Sequence, residues 1–430
     1  MQSASSGSVV GFLNEIENHY PSAVFFAAGA PASGFLGRLD LPVVQSALQT
    51  FMRHGLGGQR NAGSLAGLLQ YGPTAGLINE LVAEHLRVDS GLAGSGDRTL
   101  VTAGCQEALA LCLPVLCPAP TDTLLVNNPT YIGAIGAARC HGIRVDGLDN
   151  TAGDLAGQIE ERAEAERSRG RTVRALYLVP SFDNPSGLVL GREQRDAILA
   201  TCARLRIVIL EDDPYGMFDY DGIAPPPMAG ADRDGCVIYL STFSKTLAPS
   251  LRVGAAVLPE TLFGSRAARE ELMRQLVERK GLLTLNTAQM NQAIVGGMLL
   301  ERNFSLRDWI APASESYRAN RDALLAQLDS DFAGLADQVS WTRPGGGFFI
   351  AMTLPFPMDL DCALHCAKNH DVIVMPMRFF ALDDSQNCAI RLAFSSVTPQ
   401  QARDGARSLA DYVRSRIGQG AEPATAALVH

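Results

Sequence analysis

Ser241-Thr242-Phe243-Ser244-Lys245-Thr246-Leu247-Ala248-Pro249-Ser250-Leu251-Arg252-Val253-Gly254 follows an apolar run and sets one lysine close to two hydroxyls and an arginine. An amine in that company suits the capture of a phosphorylated aldehyde. Lys245 supplies the nucleophile for a Schiff base, Thr242 and Ser244 offer hydroxyls, and Arg252 brings a fixed positive charge to a phosphate. Read alone, the segment also fits a surface lysine at a strand end, so the flanking sequence has to decide.

Working outward, short β-branched runs recur between residues 98 and 258: Thr99 to Thr102, Thr123 to Asn127, Ala175 to Pro180, Ile207 to Leu210, Val237 to Leu240 and Ala255 to Leu258. Helical patterns lie between them at Gln106 to Cys117, Asp154 to Ser168 and Arg192 to Leu205. Continuous apolar strands separated by helices predict an α/β fold with a mainly parallel sheet covered on both faces. Ligands in such sheets sit at the carboxyl ends of the strands. The polar motifs follow the strands: Gly104-Cys105-Gln106, Asn128-Pro129-Thr130-Tyr131, Asp183-Asn184-Pro185, Glu211-Asp212-Asp213-Pro214-Tyr215 and Thr242 to Lys245. Five strand ends therefore aim at one site. Beyond a long helical stretch, Pro312 to Leu328, the texture changes at Trp341 to Ile350, which predicts a smaller α+β domain reaching Ser415.

Composition narrows the function classes. A chain of 430 residues with 47% hydrophobic content buries a large core. A net charge of −9 works against a polyanion partner, so no nucleic-acid role is expected. Nine cysteines stand in apolar stretches without the paired spacing of a zinc site or a disulfide framework; they read as reduced thiols in a cytoplasmic protein. Cys362, His365 and Cys366 cluster within an expected helix, Leu360 to Asn369, and read as core residues; no metal is expected. Met1 to Val10 lacks the pattern of a signal peptide, and no apolar run is long enough to cross a bilayer.

Taken together, the motifs resemble the fold-type I, pyridoxal-phosphate-dependent aminotransferases of class I/II, the branch that includes 2-aminoadipate and kynurenine aminotransferases. The resemblance extends from about residue 20 to about residue 415. It implies the PLP-dependent transferase fold type I, with a seven-stranded type of large sheet between helices. It makes Lys245 the Schiff-base lysine, placed to shuttle a proton between substrate and coenzyme. Asp212 becomes the carboxylate that keeps the pyridine nitrogen protonated, and Tyr215, three residues on, the phenol at the ring hydroxyl. Asn184 donates to that hydroxyl, and Tyr131 stacks on the ring. The phosphate rests on Gly104, Cys105 and Gln106 at a helix start, with Thr242, Ser244 and Arg252 completing the cradle. Relatives commonly carry serine where this chain has Cys105. Tyr71 reaches the phosphate of a neighbouring subunit, which implies a homodimer with shared active sites.

Arg391 is a charge inside an apolar strand; the resemblance pairs it with the substrate α-carboxylate, while Asp383 and Asp384 offer a structural ion pair instead. Gly29 matches the loop beside that carboxylate. Selectivity is expected in Ala27 to Arg38, in the glycine-rich stretch Gly55 to Gly63, a mobile lid or a plain loop, and in Met375 to Phe380. Arg38, Arg53, Arg60 and Arg378 are the candidates for holding a second acidic group or for simple solvation. The expected division is residues 1–45 as an N-terminal segment joining the small domain and active site, 46–310 as the large domain, 311–417 as the small domain and 418–430 as a tail. The expected function is transfer of the α-amino group of an amino acid to a 2-oxo acid. One alternative is a biosynthetic enzyme of the same fold performing β/γ-elimination, replacement or C–C bond formation on an activated amino acid such as S-adenosylmethionine. The other is a non-catalytic, coenzyme-binding sensor, although no DNA reader fits ahead of residue 20.

Overall fold

A computed structural model describes residues 16, 18–55, 63–151 and 153–418. Expectations for Met1 to Val10, for Arg60 with most of the glycine-rich stretch, and for tail residues 419–430 lie outside the described residues.

Seven strands make the large sheet: β1 Thr99–Thr102, β2 Asp122–Asn128, β3 Arg144–Asp149, β4 Thr172–Leu178, β5 Val208–Asp212, β6 Val237–Thr242 and β7 Gly254–Val257. Their order is β1-β7-β6-β5-β4-β2-β3. Both pairings of β7 are antiparallel and all others are parallel, so six strands point the same way. Each of the six apolar runs becomes a strand. The seventh, β3, went unread because it is an edge strand, largely open to solvent, in which Arg144, Asp146 and Asp149 break any apolar pattern.

Alternation along the strands builds two apolar layers. Leu125, Leu176, Leu178 and Ile209 pack on one face with Leu155, Ile159, Ile198 and Cys202 from helices Leu155–Ser168 and Arg192–Leu205. Leu124, Val126, Ala175, Tyr177 and Leu210 point to the other face, toward Leu109, Cys112 and Leu113 of helix Cys105–Leu116. Successive residues of a strand face opposite sides, so a run that is apolar throughout must be covered twice. At about 1.5–3 kcal/mol for each large aliphatic side chain buried, these layers dominate the stability of the fold.

A second sheet comprises β8 Ser340–Trp341, β9 Phe349–Thr353, β10 Met375–Pro376 and β11 Ala389–Ala393, antiparallel in the order β10-β11-β9-β8. Arg391 faces Ala351 on one neighbour and Met375 on the other, at the centre of this sheet. Helices Leu360–His370 and Pro399–Gly418 accompany it, and helix Arg307–Asp331 packs along the latter. The expected boundaries at 45/46 and 310/311 fall inside helices Leu41–His54 and Arg307–Asp331, each of which runs unbroken across the expected line.

The N-terminal segment ties the two sheets together. Val24–Phe25 pairs in parallel with Val372–Ile373, and Ala393 N donates to Phe26 O at 2.8 Å. Further on, Arg391 Nη2 donates to Ala27 O, Lys245 Nζ to Gly29 O at 3.0 Å and Ser395 Oγ to Ala30 O at 2.7 Å.

Candidate active site

At the carboxyl ends of β1, β2, β4, β5 and β6 lies a cavity of about 400 Å³. Gly29, Cys105, Gln106, Tyr131, Asn184, Asp212, Tyr215, Thr242, Ser244, Lys245, Arg252 and Arg391 all line it. Residues named from separate motifs thus converge on one space.

One end of the cavity is a helix start. Gly104 caps helix Cys105–Leu116 with φ +82° and has no side chain to occupy the first amides, which stay open to an anion. A Cβ at Gly104 would stand 2.8 Å from Arg252 Nη2, so only glycine lets the guanidinium come this close. Arg252 donates to Ala103 O at 2.9 Å and to Ser244 Oγ at 3.5 Å, while Thr242 Oγ1 accepts from Ser244 N at 3.2 Å. Beneath the cradle, the carboxylate of Glu107 accepts from Ala103 N at 2.5 Å and from Lys280 Nζ at 2.7 Å. Lys280 is fully buried, and this ion pair fixes the first turn of the helix from behind.

Asp212 closes β5 with its two oxygens in different situations. Oδ2 accepts from Tyr177 Oη at 2.7 Å; Oδ1 is buried and has no hydrogen-bond partner among the described residues. Burial pushes its pKa up to about 6, against the pull of the Tyr177 hydroxyl and the Cys105 thiol. Asp213 faces the other way, accepting from Tyr239 Oη and Gly216 N, both at 2.8 Å, and does not line the cavity. The spacing to Tyr215 therefore picks out the aspartate that enters the site. The Cys105 thiol is raised well above its ordinary pKa by burial and by the neighbouring Asp212, and stays protonated.

Lys245 hangs from the loop after β6. Burial first, then the charges of Arg391 and Arg252, bring its pKa down to about 8. Tyr131 Oη donates to Gln106 Oε1 at 3.3 Å, and burial lifts its pKa to about 12. Tyr215 packs against Phe348 and Phe349, at centroid distances of 5.2 and 5.6 Å.

Arg391 is 4% exposed. Its Nη1 donates to Asn184 Oδ1 at 2.7 Å, and its guanidinium lies 4.4 Å from the Phe349 ring centre and 4.6 Å from that of Phe380. No carboxylate pairs with it among the described residues, and Nε has no partner there. Asp383 instead accepts from Asn128 Nδ2 and Ser385 N, both at 3.0 Å, which removes it as the alternative ion-pair partner. Burial without an anion brings the Arg391 pKa down to about 10. Gly29 approaches the Phe349 ring so closely that any Cβ would overlap it.

Several candidates lie elsewhere. Tyr71 is 81% exposed and does not line the cavity. Arg38 donates to Trp309 O at 2.6 Å and stacks on the Trp309 ring, and Arg53 donates to Thr50 Oγ1 at 3.1 Å. Arg378 acts on Asp359 and is also absent from the cavity wall. Sequence reasoning missed Tyr177, whose signal was a hydroxyl inside the apolar run Ala175 to Pro180, and Ile132 and Phe349, which had none beyond following a motif. Met375 and Phe380 line the cavity from a segment named only for selectivity.

A family model for aminotransferases of class I and II matches residues 35–409. The chain is 33% identical over 418 residues to the (S)-3,5-dihydroxyphenylglycine transaminase of Amycolatopsis orientalis, spanning 95% of this chain and 92% of that one. It is 31% identical over 396 residues to the 2-aminoadipate transaminase of Thermus thermophilus, spanning 90% and 89%. The structure of Pyrococcus horikoshii kynurenine aminotransferase, solved in complex with PMP, matches with a TM-score of 0.81 at 27% identity, over 97% of this chain and 96% of that one. The chain belongs to the class I and II aminotransferases, pyridoxal-phosphate-dependent enzymes that move an amino group between an amino acid and a 2-oxo acid.

Proposed function

We propose that amino transfer takes place in this cavity with the residues in the following roles. The amides at Gly104, Cys105 and Gln106, with Thr242, Ser244 and Arg252, hold the coenzyme phosphate. The unpaired Asp212 Oδ1 is a fit for a protonated ring nitrogen, since a buried carboxylate oxygen without a donor demands one. Tyr177 keeps Asp212 oriented from the far side. Tyr215 and the Asn184 amide serve the ring hydroxyl, and Tyr131 covers the ring face. When bound, pyridoxal phosphate supplies an electron-accepting ring that stabilises negative charge at the substrate α-carbon. Lys245 first binds the coenzyme and then, as a free amine, takes the α-proton and returns it on the coenzyme side. Arg391, lacking an anion of its own, clamps the α-carboxylate, with Gly29 beside it.

The observation that carries this reading is the convergence of Lys245, an unpaired Asp212 oxygen and an anion-free Arg391 on one cavity. It is tested by adding amino acids singly, without any 2-oxo acid, to the purified holoenzyme. Loss of the coenzyme's visible band with release of one equivalent of 2-oxo acid, reversed by a second 2-oxo acid, is expected. Loss of a side-chain substituent with the band unchanged would instead favour elimination or replacement.

The reading extends to a homodimer in which Tyr71 reaches the partner's phosphate site. Supporting it, Leu69, Tyr71, Leu282, Leu283 and Leu285 are exposed, and Gln289 Nε2, four residues beyond Leu285, donates to Gln70 O. A cytoplasmic location is supported by nine free cysteines; no helix among the described residues is long and apolar enough to cross a membrane. The division into residues 1–45, 46–310, 311–417 and a tail 418–430 is proposed with helices Leu41–His54 and Arg307–Asp331 shared across the boundaries.

A further inference from the structure

We infer that the amino donor carries a neutral, apolar or aromatic side chain and not a second carboxylate. The inference rests on the residue roles proposed above and comes from what remains of the cavity once those roles are filled.

Three basic side chains line the cavity among the described residues: Lys245, Arg252 and Arg391. Lys245 is the coenzyme's amine, Arg252 is tied to Ala103 O and Ser244 at the helix start, and Arg391 is the α-carboxylate clamp. The lining to which no role is given above is apolar and includes Ala28, Ala30, Ile132, Phe349, Met375 and Phe380. Phe349 and Phe380 flank the Arg391 guanidinium, so a donor anchored there by its α-carboxylate enters a space bounded by two rings. Such walls favour flat or branched apolar groups. An ionised second carboxylate would lose its water against them and find no further cation among the described residues of this chain, a cost that the packing of its methylenes would not offset.

The other arginines that sequence alone left open do not supply that cation. Arg38 is held on Trp309, Arg53 on Thr50, and Arg378, whose charge acts on Asp359, does not line the cavity. Residues 1–15, 17, 56–62, 152 and 419–430, outside the described part, contain a single arginine, Arg60, and no lysine. Arg60 is thus the one residue of this chain left to test directly.

The experiment measures second-order rate constants for bleaching of the holoenzyme by phenylalanine, leucine, glutamate and 2-aminoadipate, in the wild type and in Arg60→Ala. Phenylalanine or leucine is expected to exceed both acidic donors by about tenfold or more, with the same ratio in Arg60→Ala. Phe380→Ala should slow phenylalanine by about tenfold while changing glutamate much less. Acidic donors at parity or faster overturn the inference but leave amino transfer standing, and a selective loss of those donors in Arg60→Ala would identify the cation responsible. Bleaching by no donor at all would overturn the residue roles together with the inference.

Discussion

Removing the positive charge at Arg391 should change how readily Lys245 takes up the coenzyme, although the two residues share no bond. Lys245 has a pKa brought from 10.5 to about 8, by burial first and then by Arg391 and Arg252. At pH 7.5 a lysine with a pKa of about 8 is about one quarter neutral amine, whereas an ordinary lysine is neutral in about one part in a thousand. Only the neutral amine attacks an aldehyde, so the cavity raises the competent fraction about 200-fold. The sign follows directly: the rate of capture by coenzyme-free protein climbs with pH and levels off above about 8. In Arg391→Gln one repulsive charge is gone and burial remains, so the midpoint moves above 8 without reaching 10.5. The assay mixes coenzyme-free protein with pyridoxal phosphate by stopped flow across pH 6 to 10 and follows the absorbance change. A wild-type midpoint near 10, or a midpoint in Arg391→Gln equal to or below that of the wild type, would refute the reasoning.

Other consequences are simpler to check. Arg391→Ala should cost about 2–5 kcal/mol in kcat/KM, mostly through KM, because a desolvated carboxylate loses its partner; steady-state kinetics with a range of donors measures this. Asp212→Ala should retain bound coenzyme by absorbance yet lower kcat by about 100-fold or more, having removed the charge behind the ring. Tyr177→Phe removes the 2.7 Å hydrogen bond that holds the Asp212 pKa down, so in the coenzyme-free protein the Asp212 carboxyl should titrate above about 6, read from its carbonyl stretch by difference infrared spectroscopy against the wild type. Lys280→Met leaves Glu107 as an unpaired buried charge and should cost about 3–5 kcal/mol in urea unfolding of the coenzyme-free protein.

The parts of the fold legible in the sequence are those where one physical requirement acts alone. Strands β1, β2 and β4 to β7 are apolar because both faces are covered, and the motifs after them are polar because they face the cavity. Edge strand β3 escaped because solvent relaxes that requirement, and its charged residues look like any loop. Asp212 was separable from Asp213 through the position of Tyr215, but the partner on its far side was not, since Tyr177 is 35 residues away and meets it only through strand pairing. The proposed division has no mark in the sequence at its edges, because two long helices run across residues 45/46 and 310/311 without any change in composition. Within Met375 to Phe380 the sequence did not say which side chains face the cavity, because that depends on how Met375 pairs with Arg391.

The tie made by residues 24–30 sets an order on synthesis. This stretch emerges from the ribosome early, yet its partners Val372, Ile373, Arg391, Ala393 and Ser395, within and beside the second sheet, emerge near the end, up to 365 residues later. The large sheet can form while translation continues, since its neighbouring strands are all complete by Val257. The cavity cannot, because its floor at Ala27 to Ala30 waits for strand β11. A ribosome stalled after the large sheet is complete at Val257 but before Ala389 would therefore present a folded coenzyme cradle with no carboxylate clamp, a nascent chain able to bind the cofactor but not to hold a substrate.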